Sequence, residues 1–456
     1  MFQLSNPRPS LDTIIDSAEQ QLASGNPRSA EKRLKKVSGI DREDATTLTR
    51  VALLYENLAQ AYSQQPKTRL ETLLDKKIGP RPHKTKLLSR DRAHRALDAI
   101  LANPDEYALE QIGESANKVY EVADDEELKQ AFVIKEVSYD DSKGEIASTL
   151  QFEQATENRD NLSQPTIVDI IPHGDKLYYV MIRSIGDPLM YYLQRNMMSK
   201  SFDTVIEYLA KIHAASLGEE QTWTTKGRLN IGKKLEQRLK DPDLNVPNEI
   251  ATKIEENYAP ILERLNNTLW VFNKDAHPGN WILSGKKVTA IDIEDKGYVP
   301  LQTDLANLFA YGGYFPDQRF VDEKLRSYVE EFNRHSTKGQ IDNFHEFRLT
   351  YYNAVIDRAL ALTGFWSSPK RSSMISEREA VLGNAIEAVT RIKNEFRVTY
   401  KQHQEAYQNL REALVELKDH VKEQRIQRQK VVALQLAGTV VEETKIVPLN
   451  NDYKFI

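Results

Sequence analysis

Residues 271–305 read VFNKDAHPGNWILSGKKVTAIDIEDKGYVPLQTDL. Asp275 is followed five positions on by Asn280, and a second acid, Asp292, ends the apolar run Val288-Thr289-Ala290-Ile291. Acid, amide, acid is the order a phosphoryl-transfer site requires. One carboxylate orients or deprotonates an attacking hydroxyl, while an amide oxygen and a second carboxylate hold Mg²⁺ against nucleotide phosphates. The intervening AHPG places Asp275 and Asn280 on an irregular loop, between an apolar entry (Leu269–Phe272) and an apolar exit (Trp281–Leu283). A carboxylate emerging from a buried strand, as Asp292 does, costs desolvation energy unless it is paired or binds metal. Glu294, two residues on, would share that strand face and join the metal site, whereas Asp295 would point away. The plain explanation of Asp304 is an N-cap at the head of a helical run.

Around this loop the periodicity divides the chain. Residues 1–65 read as a helical module, with Leu11, Ile14, Ile15, Ala18 and Leu22 on one face behind a Ser10 cap. Residues 66–104 form a basic linker or helix, because Lys67–Arg95 carries ten Lys/Arg against three Asp/Glu. Between 105 and 186 the pattern turns to strands: Tyr107–Ile112, Val119–Val122 and Ala131–Val137 make a meander, a helix spans about Ile146–Arg159, and Thr166–Ile171 and Leu177–Ile182 flank an HGDK turn. Residues 187–373 are mainly helical, with Ser201–Ala215 as the clearest stripe and short strands at Leu269–Phe272, Trp281–Leu283 and Val288–Ile293. Residues 374–436 read as one long helix whose seam, Leu382 to Val421, follows a heptad pattern. That seam would pack within the chain or pair with a coiled-coil or helical partner. Residues 437–456 are a short tail.

Bulk properties narrow the class. The chain has 456 residues, no cysteine and a net charge of −5. Disulfides, thiolate nucleophiles and zinc–sulfur sites are excluded, no apolar run approaches a membrane span, and nucleic acid is not an expected partner. A cytoplasmic location is the expectation. Two further elements fit the opening stretch: Gly113, Ser115 and Asn117, in GESAN between the first two strands, suit close backbone approach to a triphosphate. Lys135 ends the apolar run FVIK, where it would neutralise phosphates with Glu153, or else Glu145 or Glu157, as its acidic partner.

These residues together resemble the aminoglycoside phosphotransferase-like kinases, relatives of the choline, homoserine and fructosamine kinases. The resemblance runs from about Glu106 to about Thr363 on IGESANKVYEV, FVIKEV, VIEYLAKIHAASL, NKDAHPGNWIL and AIDIEDKGYVPLQTDLANL. It implies an α+β, protein-kinase-like fold with a small antiparallel lobe and a mainly helical lobe. It further implies an enzyme that transfers the γ-phosphoryl group of ATP, or of GTP, to a small-molecule hydroxyl. By resemblance Asp275 is the base, Asn280 and Asp292 hold Mg²⁺, Lys135 contacts phosphate, and Met181, Ile182 and Ser184 of MIRSIG lie on the adenine hinge. Asp304 would brace the loop. The family writes this loop H-G-D-x-x-x-x-N, and here Asn273-Lys274 replace His-Gly. A protein kinase, or a kinase-fold regulator or pseudokinase, acting on a macromolecular partner is the alternative reading.

Overall fold

The computed structural model describes residues 11–24, 29, 109–111, 119–122, 132–156, 161–165, 167–173, 176–194, 201–313, 317–367 and 375–436. Helix α1 (Leu11–Ala23) forms where its apolar face predicts. The rest of the N-terminal module, the basic stretch, Gly113, Ser115, Asn117 and the tail lie outside the described residues.

The small lobe is a five-stranded antiparallel sheet. Its strands β1 (Leu109–Gln111), β2 (Val119–Val122) and β3 (Phe132–Ser138) form the expected meander. Helix α2 (Tyr139–Thr156) and β4 (Leu162–Ser163) follow, then β5 (Ile167–His173) and β6 (Lys176–Ile182). The spatial order is β1-β2-β3-β6-β5, so β3 is an inner strand, with Lys135 opposite Tyr179 of β6. Ile134, Lys135 and Val137 are all buried, which explains the continuous apolar run around the lysine. Helix α2 starts seven residues earlier than its periodicity suggests. Its first turn, YDDSKG, has no apolar stripe, and Ser138 caps it by accepting the Asp141 amide at 3.2 Å. The helix then anchors the sheet to the larger lobe through Phe152, which packs on Tyr208, Trp223 and Phe272.

The larger lobe opens with β7 (Asp187–Pro188) and α3 (Leu189–Gln194), followed by α4 (Ser201–Ser216) and α5 (Glu220–Trp223). Three helices then lead to the segment that carries Asp275 and Asp292: α6 (Ile231–Leu239), α7 (Asn248–Asn257) and α8 (Ala259–Asn266). That segment comprises β8 (Trp270–Phe272), β9 (Trp281–Ser284), β10 (Lys287–Ala290) and β11 (Tyr298–Pro300). Strand β8 pairs with β11, while β9 and β10 form a hairpin within the sheet β4-β10-β9-β7. The loops after β8 and β10 are thereby fixed at both ends. Strand β10 stops at Ala290, three residues short of expectation, because Asp292 adopts a left-handed backbone with φ +55°. Asp292 and Glu294 are therefore not strand neighbours, although both still reach the same lysine.

Helix α9 (Gln302–Phe309) is buried throughout, and α10 (Gln318–His335) packs against α4. Helix α11 (Phe344–Phe365) is buried along almost its whole length, as expected for a central helix touched on every side. The heptad seam is not one helix. It is divided into α12 (Ile375–Glu395), α13 (Arg397–Gln402) and α14 (Gln404–Leu436) by breaks at Phe396 and His403. Arg425 pairs with Glu379, and a Cβ on Gly383 would lie 3.3 Å from Lys418 Nζ, so α12 and α14 run antiparallel. Leu382, Val389, Tyr407, Leu414 and Val421 are buried in the main core, which directs the seam inward. No helix among the described residues is long and apolar enough to cross a membrane.

Candidate active site

The site forms where the catalytic loop, the segment after β10 and the inner strand β3 converge. Lys135 Nζ bonds Glu145 of α2 and lies 3.3 Å from Asp292 Oδ1 and 3.2 Å from Glu294 Oε1. The lysine's helix partner is thus Glu145. Glu153, expected in that role, lies two turns further along α2 and is exposed to solvent. Gly144, beside Glu145, presses against the segment after β10: a Cβ there would sit 2.2 Å from the Asp295 carboxylate. Asp295 does point away from the site, accepting the Thr225 amide at 2.7 Å and bonding Thr224.

The loop is locked from below. Asp304 lies inside α9, not at its cap, and accepts the amides of Lys274 (2.7 Å) and Ala276 (2.8 Å). His213 of α4 holds Asp304 at 3.1 Å and Tyr328 at 2.6 Å. Asn273, in the place of the family's His, accepts the Asp275 amide at 2.9 Å. Lys274 turns inward, donating to Ile291 O at 2.7 Å, and burial lowers its pKa to about 8. It therefore ties the two loops together, a service glycine cannot perform. Among the described residues three non-glycines have positive φ, and two of them are Asp275 (+54°) and Asp292 (+55°). Such strain costs about 1–3 kcal/mol per residue and persists where surrounding structure enforces it.

Asp275 does not stand alone. Lys296 Nζ lies 2.8 Å from Oδ2, and Asn307 Nδ2 and Arg358 Nη2 lie 3.0 and 3.2 Å from Oδ1. Burial would push this carboxyl up, but Lys296 and then Arg358 hold it well below the usual range. Asp292 follows the same pattern, with Lys135, Lys296 and Lys274 overcoming burial. Lys135 and Lys296 stay charged because their carboxylates outweigh desolvation. Burial pushes Glu145 up to about 7 against the pull of Lys135. Asn280 donates Nδ2 to the Asp275 carbonyl at 2.9 Å, which leaves its amide oxygen as the group for a cation.

Sequence reasoning missed Lys296, Asn307 and Arg358. Lys296 lies two residues beyond Glu294, and Arg358 follows Asp357 in the largely apolar second half of its helix, which was its available signal. The residues expected at the hinge lie at and just beyond the end of β6. Ile182 ends β6 exposed, Ile185 is 69% exposed, and Met181 and Ser184 are half-buried. Gly186, at φ +139°, admits no Cβ because Leu283 O would lie 2.2 Å away.

Among the described residues no three His, Cys, Asp or Glu side chains gather as a ready metal cage. A hard divalent ion is still compatible with the donors: four carboxylates (Glu145, Asp292, Glu294 and Asp275) share Lys135 and Lys296. Mg²⁺ needs only one or two carboxylates when phosphates complete its shell. A cavity of about 590 Å³ between α8, α11 and α13 is lined by none of these residues and belongs to another face.

A strand lysine paired to a helix glutamate, a braced loop aspartate, and an Asn and Asp beside it define a phosphoryl-transfer site on a two-lobed, protein-kinase-like fold. The chain belongs to the phosphotransferase enzyme family, which it matches over residues 108–339, just over half its length. It is similar to a choline/ethanolamine kinase family protein from Mesorhizobium loti (15% identity, 70% of this chain and 98% of that one, TM-score 0.44). It is also similar to a Plasmodium vivax ethanolamine kinase (13%, 79% and 97%, TM-score 0.42) and to an aminoglycoside 2'-phosphotransferase IIIa solved with GDP (13%, 66% and 98%, TM-score 0.44). No curated protein matches the sequence.

Proposed function

We propose that this phosphotransferase moves the γ-phosphoryl group of ATP, or of GTP, to a hydroxyl of a small molecule. The observation that carries the reading is the approach of Lys135 to Asp292 and Glu294, within 3.3 Å, beside a loop that presents Asp275. Asn280, Asp292 and Glu294 would hold Mg²⁺, which when bound supplies charge neutralisation at the phosphates. Lys135, fixed by Glu145, neutralises the α- and β-phosphates, and the edge from Met181 to Ser184 takes the base. Asp275 accepts the acceptor's hydroxyl proton while Asp304 and Asn273 keep its loop in place.

The alternative, a regulator that works through a helical partner, loses its motivation because the heptad seam faces inward. The test is titration of Mg–ATP and Mg–GTP by calorimetry, then transfer from labelled nucleotide to metabolite pools and, separately, to protein extract. Label in small molecules supports the reading. Label confined to protein, or no nucleotide binding, overturns it.

A further inference from the structure

Arg358 reaches Asp275 from α11, and two further cations, Arg238 and Lys234, stand on the helix packed beside α11. Arg358 of α11 donates to Asp275 and, through Nε, to Asn307. Helix α6 packs beside α11, closely enough that a Cβ on Gly364 would lie 3.3 Å from the Arg238 side chain. From α6, Arg238 Nη1 sits 3.8 Å from Asp357 and makes no hydrogen bond, and Asp357 already accepts the Tyr258 hydroxyl at 2.6 Å. Lys234, one turn earlier on α6, is exposed. Burial of its stem, then the charges of Arg238, Arg358 and Lys226, lower its pKa. The acids that face these cations are Asp275 and Asp357, while Glu377 of α12 accepts the Gly313 amide at 2.5 Å.

Arg358 and Arg238 are each matched by one carboxylate, Asp275 and Asp357, and with Lys234 beside them the three cations favour a further anion. We propose that the acceptor carries an anionic group, a phosphate or a carboxylate, near the hydroxyl it offers, and that Arg358, Lys234 and Arg238 hold it. This rests on the kinase reading and adds a substrate class to it. A guanidinium suits either anion through paired N–H donors. The same contact draws Arg358 off Oδ1 and frees the base. A cationic acceptor meets repulsion at this wall, and a neutral one leaves Arg358 on Asp275. With the anion bound, the hydroxyl proton passes to Asp275, the acceptor oxygen bonds Pγ, and the Pγ–O bond to the β-phosphate breaks, its electrons leaving with the nucleoside diphosphate.

Three measurements test this. Without nucleotide, inorganic phosphate, glycerol 3-phosphate, glycerate and choline are titrated by calorimetry into the wild type, Lys234→Glu and Arg358→Gln. Expected is binding of an anion that each variant weakens on the order of tenfold, with Mg–ATP affinity kept within about twofold. Glycerol 3-phosphate against glycerate separates phosphate from carboxylate. In the labelled transfer screen, the expected acceptor is an anionic hydroxyl compound, and Lys234→Glu raises its KM more than it lowers kcat. Preferred phosphorylation of a cationic or neutral compound, or anion binding unchanged in Lys234→Glu, overturns the assignment. Failure of Mg–ATP to bind the wild type overturns the kinase reading instead, so the two failures are distinguishable.

Discussion

The two sides of the site are built in different ways. On the phosphate side Asn280, Asp292 and Glu294 come from fifteen consecutive residues, and Lys135 reaches them from an inner strand. On the acceptor side Asp275 is met by Asn307 of α9 and Arg358 of α11, the latter 83 residues away in sequence. The first side is acidic and lies within the family's matched segment, residues 108–339. The second is cationic, and Arg358 falls beyond that segment. On the proposed reading, the difference means that the reaction draws on the shared part, while selection of the acceptor also draws on residues beyond it.

The comparison is broken most directly at Asp275. Asp275→Asn should lose about 10²–10⁴-fold in turnover while nucleotide affinity, set on the other side, is retained. Steady-state rates with parallel calorimetry decide, and equal loss of both quantities would show that the sides are not separable. Glu145→Gln should do the reverse. Removing the partner that orients Lys135 is expected to weaken nucleotide binding about 10–100-fold, the scale of losing an orienting group, with affinity for the acceptor unchanged.

Two smaller effects sharpen the boundary. In Gly144→Ala the new Cβ meets the Asp295 carboxylate, and overpacking of this kind costs about 1–3 kcal/mol, readable as a lower urea midpoint. His277, in the loop between Asp275 and Asn280, gives the site a pH readout. Its Nδ1 accepts the Gly279 amide at 3.2 Å, its ring stacks on Tyr311, and burial lowers its pKa to about 4. The folded state thus resists protonation that the unfolded chain accepts near 6.5. The contribution of His277 is complete above that pH and is lost as pH falls through 6.5 toward 4, by about 1–2 kcal/mol for a partly exposed ring. His277→Gln should flatten this part of the stability–pH curve, and an unchanged slope would assign it to other groups.

How much was legible follows the same division. The loop carrying Asp275 and Asn280 was readable because its chemistry is contiguous and its flanks are apolar. Lys135 was readable because an inner strand leaves an unbroken apolar run around it. Its partner was misassigned because the first turn of α2 has no stripe to fix the helix register. The strand through Asp292 was drawn too long, since alternation cannot announce a residue with φ +55°. The heptad seam left inward packing and an outside partner both open and gave the wrong number of helices, because breaks at Phe396 and His403 preserve the hydrophobic spacing. Arg358 meets Asp275 only through tertiary packing, which no local pattern encodes.

Helix α11 has a practical meaning for any shortened form of the protein. It is clamped along its length by α12, which in turn is backed by α14. A fragment trimmed to the borders of the family match would omit Arg358 along with the two layers that hold it upright. Such a fragment should fail to fold, because the central helix and both layers behind it belong to the same core as the strands that carry the site.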